Sequence, residues 1–322
     1  MNGRVAYVGN FDPEWSTEND LRIGFEALGW EVVQLQESRT GPDVLRKTAL
    51  ESDLLLWTST WGAPQPHHTR AYEVASECAA KGIPSACYHL DLLWGLARAG
   101  LDWRSNSMWQ MAHFYTADGG HQAEFNHEFG EDRHRWLPAG VRHTATEPGH
   151  PRREHACDVA FAGADNRRVH YHPEWTYRRD LVDFLEAMCE RRGWTFRNPG
   201  GRSPKVPREC MNDFYASAKV TVGDSLCPDR EDSLYWSDRA YEATGRGGLL
   251  IMPEMPALQE QFDGHLPTYP WSDFDRLERI IAHLLDNPAE RAEIRRHTWE
   301  IARDRHTYKH RAQAILEAEG LA

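Results

Sequence analysis

The sequence predicts an α/β protein of two Rossmann-like domains, each a parallel sheet flanked by helices. Three observations lead there. Strand and helix patterns alternate through the first 140 residues or so. A stretch rich in Pro, Gly and charge, TATEPGHPRREHA at 144–156, then interrupts them, and the alternation restarts at Asp158. At about 100–200 residues per domain, 322 residues hold two cores. The expected boundaries are 1–145 and 155–304.

The elements follow in order. Arg4–Asn10 is a short β-rich run. Thr17 to Leu28 follows as a helix, with Thr17 or Asn19 as N-cap and Gly29 as its stop. Glu31–Leu35 is a strand and Pro42–Leu50 a helix. Asp53–Thr58 (DLLLWT) is a continuous apolar run, as in a strand buried on both faces. His67–Ala80 reads as a helix stopped by Gly82-Ile83-Pro84, and Ser85–Leu90 as the next strand. His113–Thr116 and Arg135–Leu137 are short strands around a helix at Gln122–Phe129. In the second half, Asp158–Phe161 is a strand and Glu174–Arg192 a long helix. Trp194–Phe196 is a strand, Met211–Ala218 a helix and Lys219–Val222 a strand. Ser237–Thr244 is a helix closed by Gly245, and Leu249–Met252 a strand. Helices at Asp273–Leu285 and Pro288–Glu319 complete the chain.

Composition narrows the function classes. The net charge of −12 argues against a generally basic nucleic-acid binder. The charge is uneven: −8 over residues 1–150, +3 over 151–222 and −7 over 223–322. Arg191 to Arg208 (RRGWTFRNPGGRSPKVPR) holds six cations and no acid, so it is either a track for a long anion or a solvated loop. Thirteen Trp is high, and many sit near Gly, Pro or His, where they line a pocket or pack loops. The six Cys are scattered without CxxC or Cys/His metal spacing, as expected of reduced, buried thiols in a cytoplasmic protein. MNGRVAYVGN lacks a signal-peptide core, and no run reaches about 18 apolar residues, so neither secretion by that route nor a membrane span is expected.

Three polar clusters fall at the ends of expected strands, where ligands of such sheets bind. The first is Tyr88-His89-Leu90-Asp91. The second is Gly223-Asp224-Ser225, running on to Tyr235-Trp236-Ser237-Asp238-Arg239 and Glu242. The third is Gly163 with Asn166-Arg167-Arg168, followed by Arg178. Asp273-Phe274-Asp275 has the look of a metal-binding DxD but stands where a helix N-cap belongs, and is read as a cap. His170 and His172 lack metal-site spacing, and His67-His68 opens an expected helix. No metal site is expected.

The C-terminal motifs carry a resemblance. YWSDRAYEATGRGGLLIMPEMPALQEQF (Tyr235–Phe262), DFDRLERIIAHLLDNPAERAEIRR and HTYKHRA (ending at Ala312) resemble the group-1 glycosyltransferases, best the branch with spore-maturation-type and phage-encoded enzymes. WLPAGV (Trp136–Val141) also fits. The resemblance implies the GT-B fold: two domains facing a cleft, with a helix of about 305–322 crossing back to the first. The second domain then binds a nucleotide sugar, expected to be a UDP-sugar, and the first presents a hydroxyl acceptor.

Position by position, Glu242 matches the Glu that clamps the donor ribose. Arg239, one turn earlier, and Arg178 are candidates for the diphosphate, with Gly163, Asp224, Ser225 and Ser237 around them. The Gly245–Gly248 turn admits the donor. Asp91 or His89 orients or deprotonates the acceptor. The family leans towards retention, in which a leaving phosphate oxygen takes the proton. Relatives carry a second Glu where this chain has Leu234. The nearest acids are Glu231 and Asp232.

Phage-encoded relatives make 5-hydroxymethylcytosine in DNA a candidate acceptor. Arg191, Arg202, Lys205 and Arg208, with Arg133, Arg135 and Arg142, are the cations to contact its phosphates. A polysaccharide or small molecule fits the net charge equally. No cofactor beyond the nucleotide-sugar co-substrate is expected, and no obligate protein partner. The rivals are a non-catalytic nucleotide-sugar binder and a nucleotide-sugar epimerase. The first strand ends in Val8-Gly9-Asn10-Phe11-Asp12-Pro13 rather than GxGxxG, which disfavours a NAD enzyme.

Overall fold

The computed structural model describes residues 2–59, 69–91, 107–164, 176–226 and 234–322. The chain divides into two compact units. One is Met1–Arg142 with Tyr308–Ala322, and the other is His143–Thr307.

In the first unit, strands β1 (Arg4–Gly9), β2 (Glu31–Gln36), β3 (Leu54–Thr58), β4 (Ser85–His89), β5 (His113–Thr116) and β6 (His134–Trp136) form one parallel sheet in the order β2-β1-β3-β4-β5-β6. The fully buried LLLWT of β3 explains its continuous apolar run. Helices α1 (Thr17–Ala27), α2 (Pro42–Leu50), α3 (Ala75–Ala80) and α4 (Gln122–Phe129) connect the strands. Val8, Leu55, Trp57, Cys87, Phe114 and Phe125 belong to one core beneath them.

Local chemistry corrects two expected details. The N-cap of α1 is Ser16, whose hydroxyl accepts from the Asn19 N–H at 3.2 Å. The Asn19 side chain instead donates to the Phe11 and Pro13 carbonyls, both at 3.0 Å. The described part of the His67–Ala80 helix is a 3₁₀ turn at Ala71–Val74 followed by α3, and His67-His68 lie outside the described residues.

The second unit is a parallel sheet of β7 (Cys157–Ala160), β8 (Phe196–Arg197), β9 (Ala218–Val222), β10 (Leu250–Pro253) and β11 (Thr268–Tyr269), in the order β11-β10-β9-β7-β8. Its helices are α5 (Thr176–Arg192), α6 (Met211–Ser217), α7 (Arg239–Gly245), α8 (Phe274–Asp286) and α9 (Pro288–Arg305). Asp273 caps α8, its carboxylate accepting from the Arg276 N–H at 2.8 Å, which accounts for the DFD sequence.

The terminal helix expected over Pro288–Glu319 breaks at His306-Thr307, and α10 (Tyr308–Ala318) belongs to the first unit. The Tyr308 N–H donates to the Val141 carbonyl at 2.8 Å, and Glu319 accepts from the Tyr115 hydroxyl at 2.6 Å and pairs with His113 at 2.7 Å. Helix α10 lies so close on α1 that a Cβ on Gly24 would stand 2.5 Å from the Tyr308 carbonyl oxygen. Backbone cannot give way there as a flexible side chain would. Gly24→Ala should therefore lower stability by about 1–3 kcal/mol, despite the better helix propensity of Ala, as thermal denaturation would read.

Among the described residues no helix is long and apolar enough to cross a membrane. Cys78, Cys87, Cys157 and Cys189 are buried free thiols, Cys210 is half-buried and free, and Cys227 lies outside the described residues.

Candidate donor and acceptor sites

In the second sheet the strand order reverses beside β7, whose neighbours are β8 and β9. Open α/β sheets bind ligands beyond the carboxyl ends of strands at such a reversal. Here β7 runs into Phe161-Ala162-Gly163 and β9 into Gly223-Asp224-Ser225. Asp224 is fully buried between two guanidinium groups. Arg178, from α5, holds it with Nε at 2.7 Å and Nη2 at 3.1 Å. Arg239, the first residue of α7, holds it with Nη1 at 2.8 Å and donates from Nε to the Ala162 carbonyl at 3.0 Å. Both guanidinium groups lie over the Phe161 ring, at 5.8 and 5.1 Å.

Two cations share the Asp224 carboxylate at the mouth of the sheet. Such a site attracts an anion and is already oriented to receive it. Gly163, at φ +140°, is needed there: a Cβ would meet Arg239 Nη2 at 2.9 Å. The buried Asn198 fixes this loop, donating from Nδ2 to the Phe161 carbonyl at 2.8 Å and the Gly163 carbonyl at 2.7 Å.

Glu242 lies one turn beyond Arg239 on α7. It accepts from Arg246 Nε at 2.6 Å, and Arg246 Nη1 reaches Asn212 Oδ1 at 2.6 Å. Ser225 is buried beside Asp224. The Ser237 hydroxyl accepts from the Arg239 N–H at 3.4 Å, just ahead of the helix, and Leu234 is half-buried. The structure thus gathers Gly163, Arg178, Asp224, Ser225, Ser237 and Arg239 around one point, with Glu242 on the adjoining turn. Asn166-Arg167-Arg168, His170, His172, Glu231 and Asp232 lie outside the described residues. Sequence reasoning missed Asn198, Arg246 and Asn212. The turn sequence Asn198-Pro199-Gly200-Gly201 was the available signal for the first.

The run Arg191–Arg208 is acid-free in sequence but not in space. Arg191 and Arg192 both pair with Glu278. Arg202 pairs with Asp183 and Glu186, and Arg197 donates to the Glu154 carbonyl. Lys205 is exposed, and Arg208 begins a 3₁₀ turn at Arg208–Cys210. In the first unit, Arg133 donates to the Trp109, Met111 and Ala112 carbonyls, Arg135 to the Ala318 carbonyl, and Arg142 to Asp20. Most of these cations therefore already hold partners within the fold.

In the first unit His89 ends β4 and is buried, with Nδ1 2.5 Å from the Ser59 carbonyl. A carbonyl only accepts, so Nδ1 carries the proton. Asp91 follows on a half-buried bend.

The carboxyl ends of β1 to β3 hold a feature that sequence reading missed. Glu18 and Glu37 are both buried, and a Cβ on Gly9 would stand 2.7 Å from Glu18 Cγ. The Glu37 N–H donates to the Gly9 carbonyl at 3.0 Å. Below them the Tyr7 and Thr58 hydroxyls meet at 2.6 Å. Burial, and then the Glu18 carboxylate, push Glu37 up from 4.5 to about 7.

The folded protein therefore binds this proton more tightly than the unfolded chain. The stability contribution is complete below about pH 4.5 and is lost as pH rises to about 7. At 1.36 kcal/mol per pH unit the loss is about 3 kcal/mol at most. Glu37→Gln should remove that decline, raising Tm at pH 8 relative to the parent while changing it little at pH 4. Parallel melting curves that keep the same pH dependence would count against the shift.

Residues 164–317 match a family model described as glycosyl transferase-like. No curated protein sequence matches the chain. Three solved structures illustrate the fold. An alpha-glucosyltransferase in complex with UDP and a 13-mer DNA containing a HMU base has a TM-score of 0.68 at 8% identity, over 99% of both chains. HepE of Anabaena in complex with UDP has a TM-score of 0.61 at 13% identity, over 99% of this chain and 100% of that one. Sucrose-phosphate synthase from Thermosynechococcus elongatus has a TM-score of 0.62 at 12% identity, over 98% of this chain and 97% of that one. The chain has the GT-B glycosyltransferase fold, and its glycosyl transferase-like match runs from the Gly163 loop through α9 and into α10.

Proposed function

We propose that this protein transfers a hexosyl group from a UDP-sugar to a hydroxyl acceptor, with no metal or further cofactor. The observation that carries the reading is the Arg178–Asp224–Arg239 cluster at the strand reversal, inside the segment that matches the glycosyl transferase-like model. A departing diphosphate gains negative charge as the glycosidic bond breaks. The two guanidinium groups stabilise that charge, and the Asp224 carboxylate keeps both of them in place before the donor arrives. Glu242 accepts the ribose hydroxyls, with Arg246 orienting its carboxylate. Gly163 and Ser225 let backbone approach the donor. His89 and Asp91 orient the acceptor hydroxyl. Under retention the proton passes to a phosphate oxygen of the leaving group.

The acceptor to try first is a hydroxymethylated base in DNA. A likeness to an alpha-glucosyltransferase crystallised with HMU-containing DNA supports the choice. An uncharged polyol is the second reading. The ion pairs that occupy Arg191, Arg192 and Arg202, and the buried Glu18 and Glu37, favour it over a phosphate-rich chain. The test is mass spectrometry of hydroxymethylcytosine-containing DNA incubated with the protein and a panel of nucleotide sugars. A hexose-sized gain on the base establishes acceptor and donor together. No gain, with slow donor hydrolysis, moves the acceptor to carbohydrate or small molecule. Neither gain nor donor turnover overturns the transferase reading in favour of a binding protein.

A further inference from the structure

The second unit holds a cavity of about 410 Å³ between helix α9 and the segment that carries Pro148. Arg291, Arg295 and Arg296 line it on one side, Trp299 continues the same wall, and Pro148 and Gly247 face them. Among the described residues no acid lines it. Its volume is that of a small-ligand pocket, for which about 300–1,000 Å³ is usual.

The charges are unusual for a structural crevice. Arg291 donates only to backbone, from Nη1 to the Leu284 and Leu285 carbonyls at 2.8 and 3.1 Å. Arg295 reaches the Ala218 carbonyl at 2.7 Å and the Lys219 and Ala216 carbonyls at 3.3 and 3.5 Å. Its Nε is buried and has no partner among the described residues. Among the described residues neither guanidinium forms an ion pair, although the two stand one turn apart on α9. Burial, and then the charge of Arg291, pull Arg295 below the usual arginine range. Carbonyl dipoles offset only part of the cost of placing two like charges together. An anion in the cavity would supply what they lack. The neighbouring Trp299 indole is held by a 2.6 Å hydrogen bond to the Thr146 carbonyl, with the Arg303 guanidinium 4.5 Å from its ring.

We propose that this cavity is a binding site for a small phosphorylated ligand. Its phosphate pairs with Arg291 and Arg295, and its carbon skeleton lies along Trp299. Arginine suits this role because its planar donors match phosphate oxygens in pairs. None of Arg178, Asp224 and Arg239 lines it, and the proposal stands whether or not the donor assignment does.

Phenyl phosphate serves as the probe, and indole ¹⁵N NMR of Trp-labelled protein as the readout. The Trp299 Nε1–H signal is identified by its loss in Trp299→Phe. It should shift saturably with phenyl phosphate, and Arg291→Gln should weaken the apparent Kd by about tenfold, the loss of one charge-assisted contact. Arg291→Lys should recover part of the affinity. Toluenesulfonate, a monoanion of similar shape, should bind more weakly to the parent protein, which keeps the test decisive should Arg291→Gln fail to fold. No shift at Trp299, the same affinity in a folded Arg291→Gln protein, or equal binding of the monoanion overturns the proposal.

Discussion

Asp224→Ala should cost about 3–5 kcal/mol of folding stability, the largest loss expected of any single change at the donor site. The carboxylate is fully buried and accepts three hydrogen bonds from two guanidinium groups. Removing it leaves two like charges over Phe161 without the carboxylate that bridges them. Arg239→Ala should cost less, because Arg178 and Asp224 would remain as a bidentate pair. The order of the two losses, read from urea unfolding, is the diagnostic result. A donor-site carboxylate that merely touched ligand would reverse it. Asp224→Asn separates charge from shape, since it keeps the acceptor oxygen and should still lose most of the stability.

Glu242→Ala should raise the donor KM by roughly ten- to a hundredfold, the loss of one or two charge-assisted hydrogen bonds at about 1.5–3 kcal/mol each. The sharper form of the prediction concerns the ribose. The parent should prefer UDP over 2′-deoxy-UDP, and Glu242→Ala should bind the two alike. Part of the loss would come from Arg246, which is buried and loses its ion-pair partner. Arg246→Gln therefore serves as the control. It should raise KM less and keep the ribose preference. Unchanged donor binding in Glu242→Ala would remove that residue from the site.

Much of the fold was legible because apolar periodicity reports burial directly. The bounds of α2, α4 and β5 follow from sequence alone. The α1 cap was misplaced by one residue because Ser16, Thr17 and Asn19 all favour caps, and only the partners of Asn19 decide among them. No Gly or Pro marks the break at His306-Thr307, so apolar periodicity runs through it, and only the family resemblance implied a separate helix of about 305–322. The break arises where the chain leaves the second unit and α10 joins α1 in the first.

At the donor site, motif spacing located Arg239 and Glu242, and strand ends located Gly163 and Asp224. What sequence could not supply was pairing. Arg178 lies 46 residues before Asp224, and nothing local links them. The same limit misled in the opposite direction at Arg191–Arg208, where the acids that pair with the basic run, Glu278 and also Asp183 and Glu186, lie outside it in sequence. The buried pair Glu18 and Glu37 escaped notice because isolated acids in a polar sequence look like surface.

The most direct test of the account is calorimetric titration of UDP into the parent protein and into Arg239→Ala. The account predicts saturable one-to-one binding to the parent, weakened about tenfold or more in the variant by the loss of a charge-assisted phosphate contact. No UDP binding to the parent, or equal affinity in a folded Arg239→Ala protein, would contradict it.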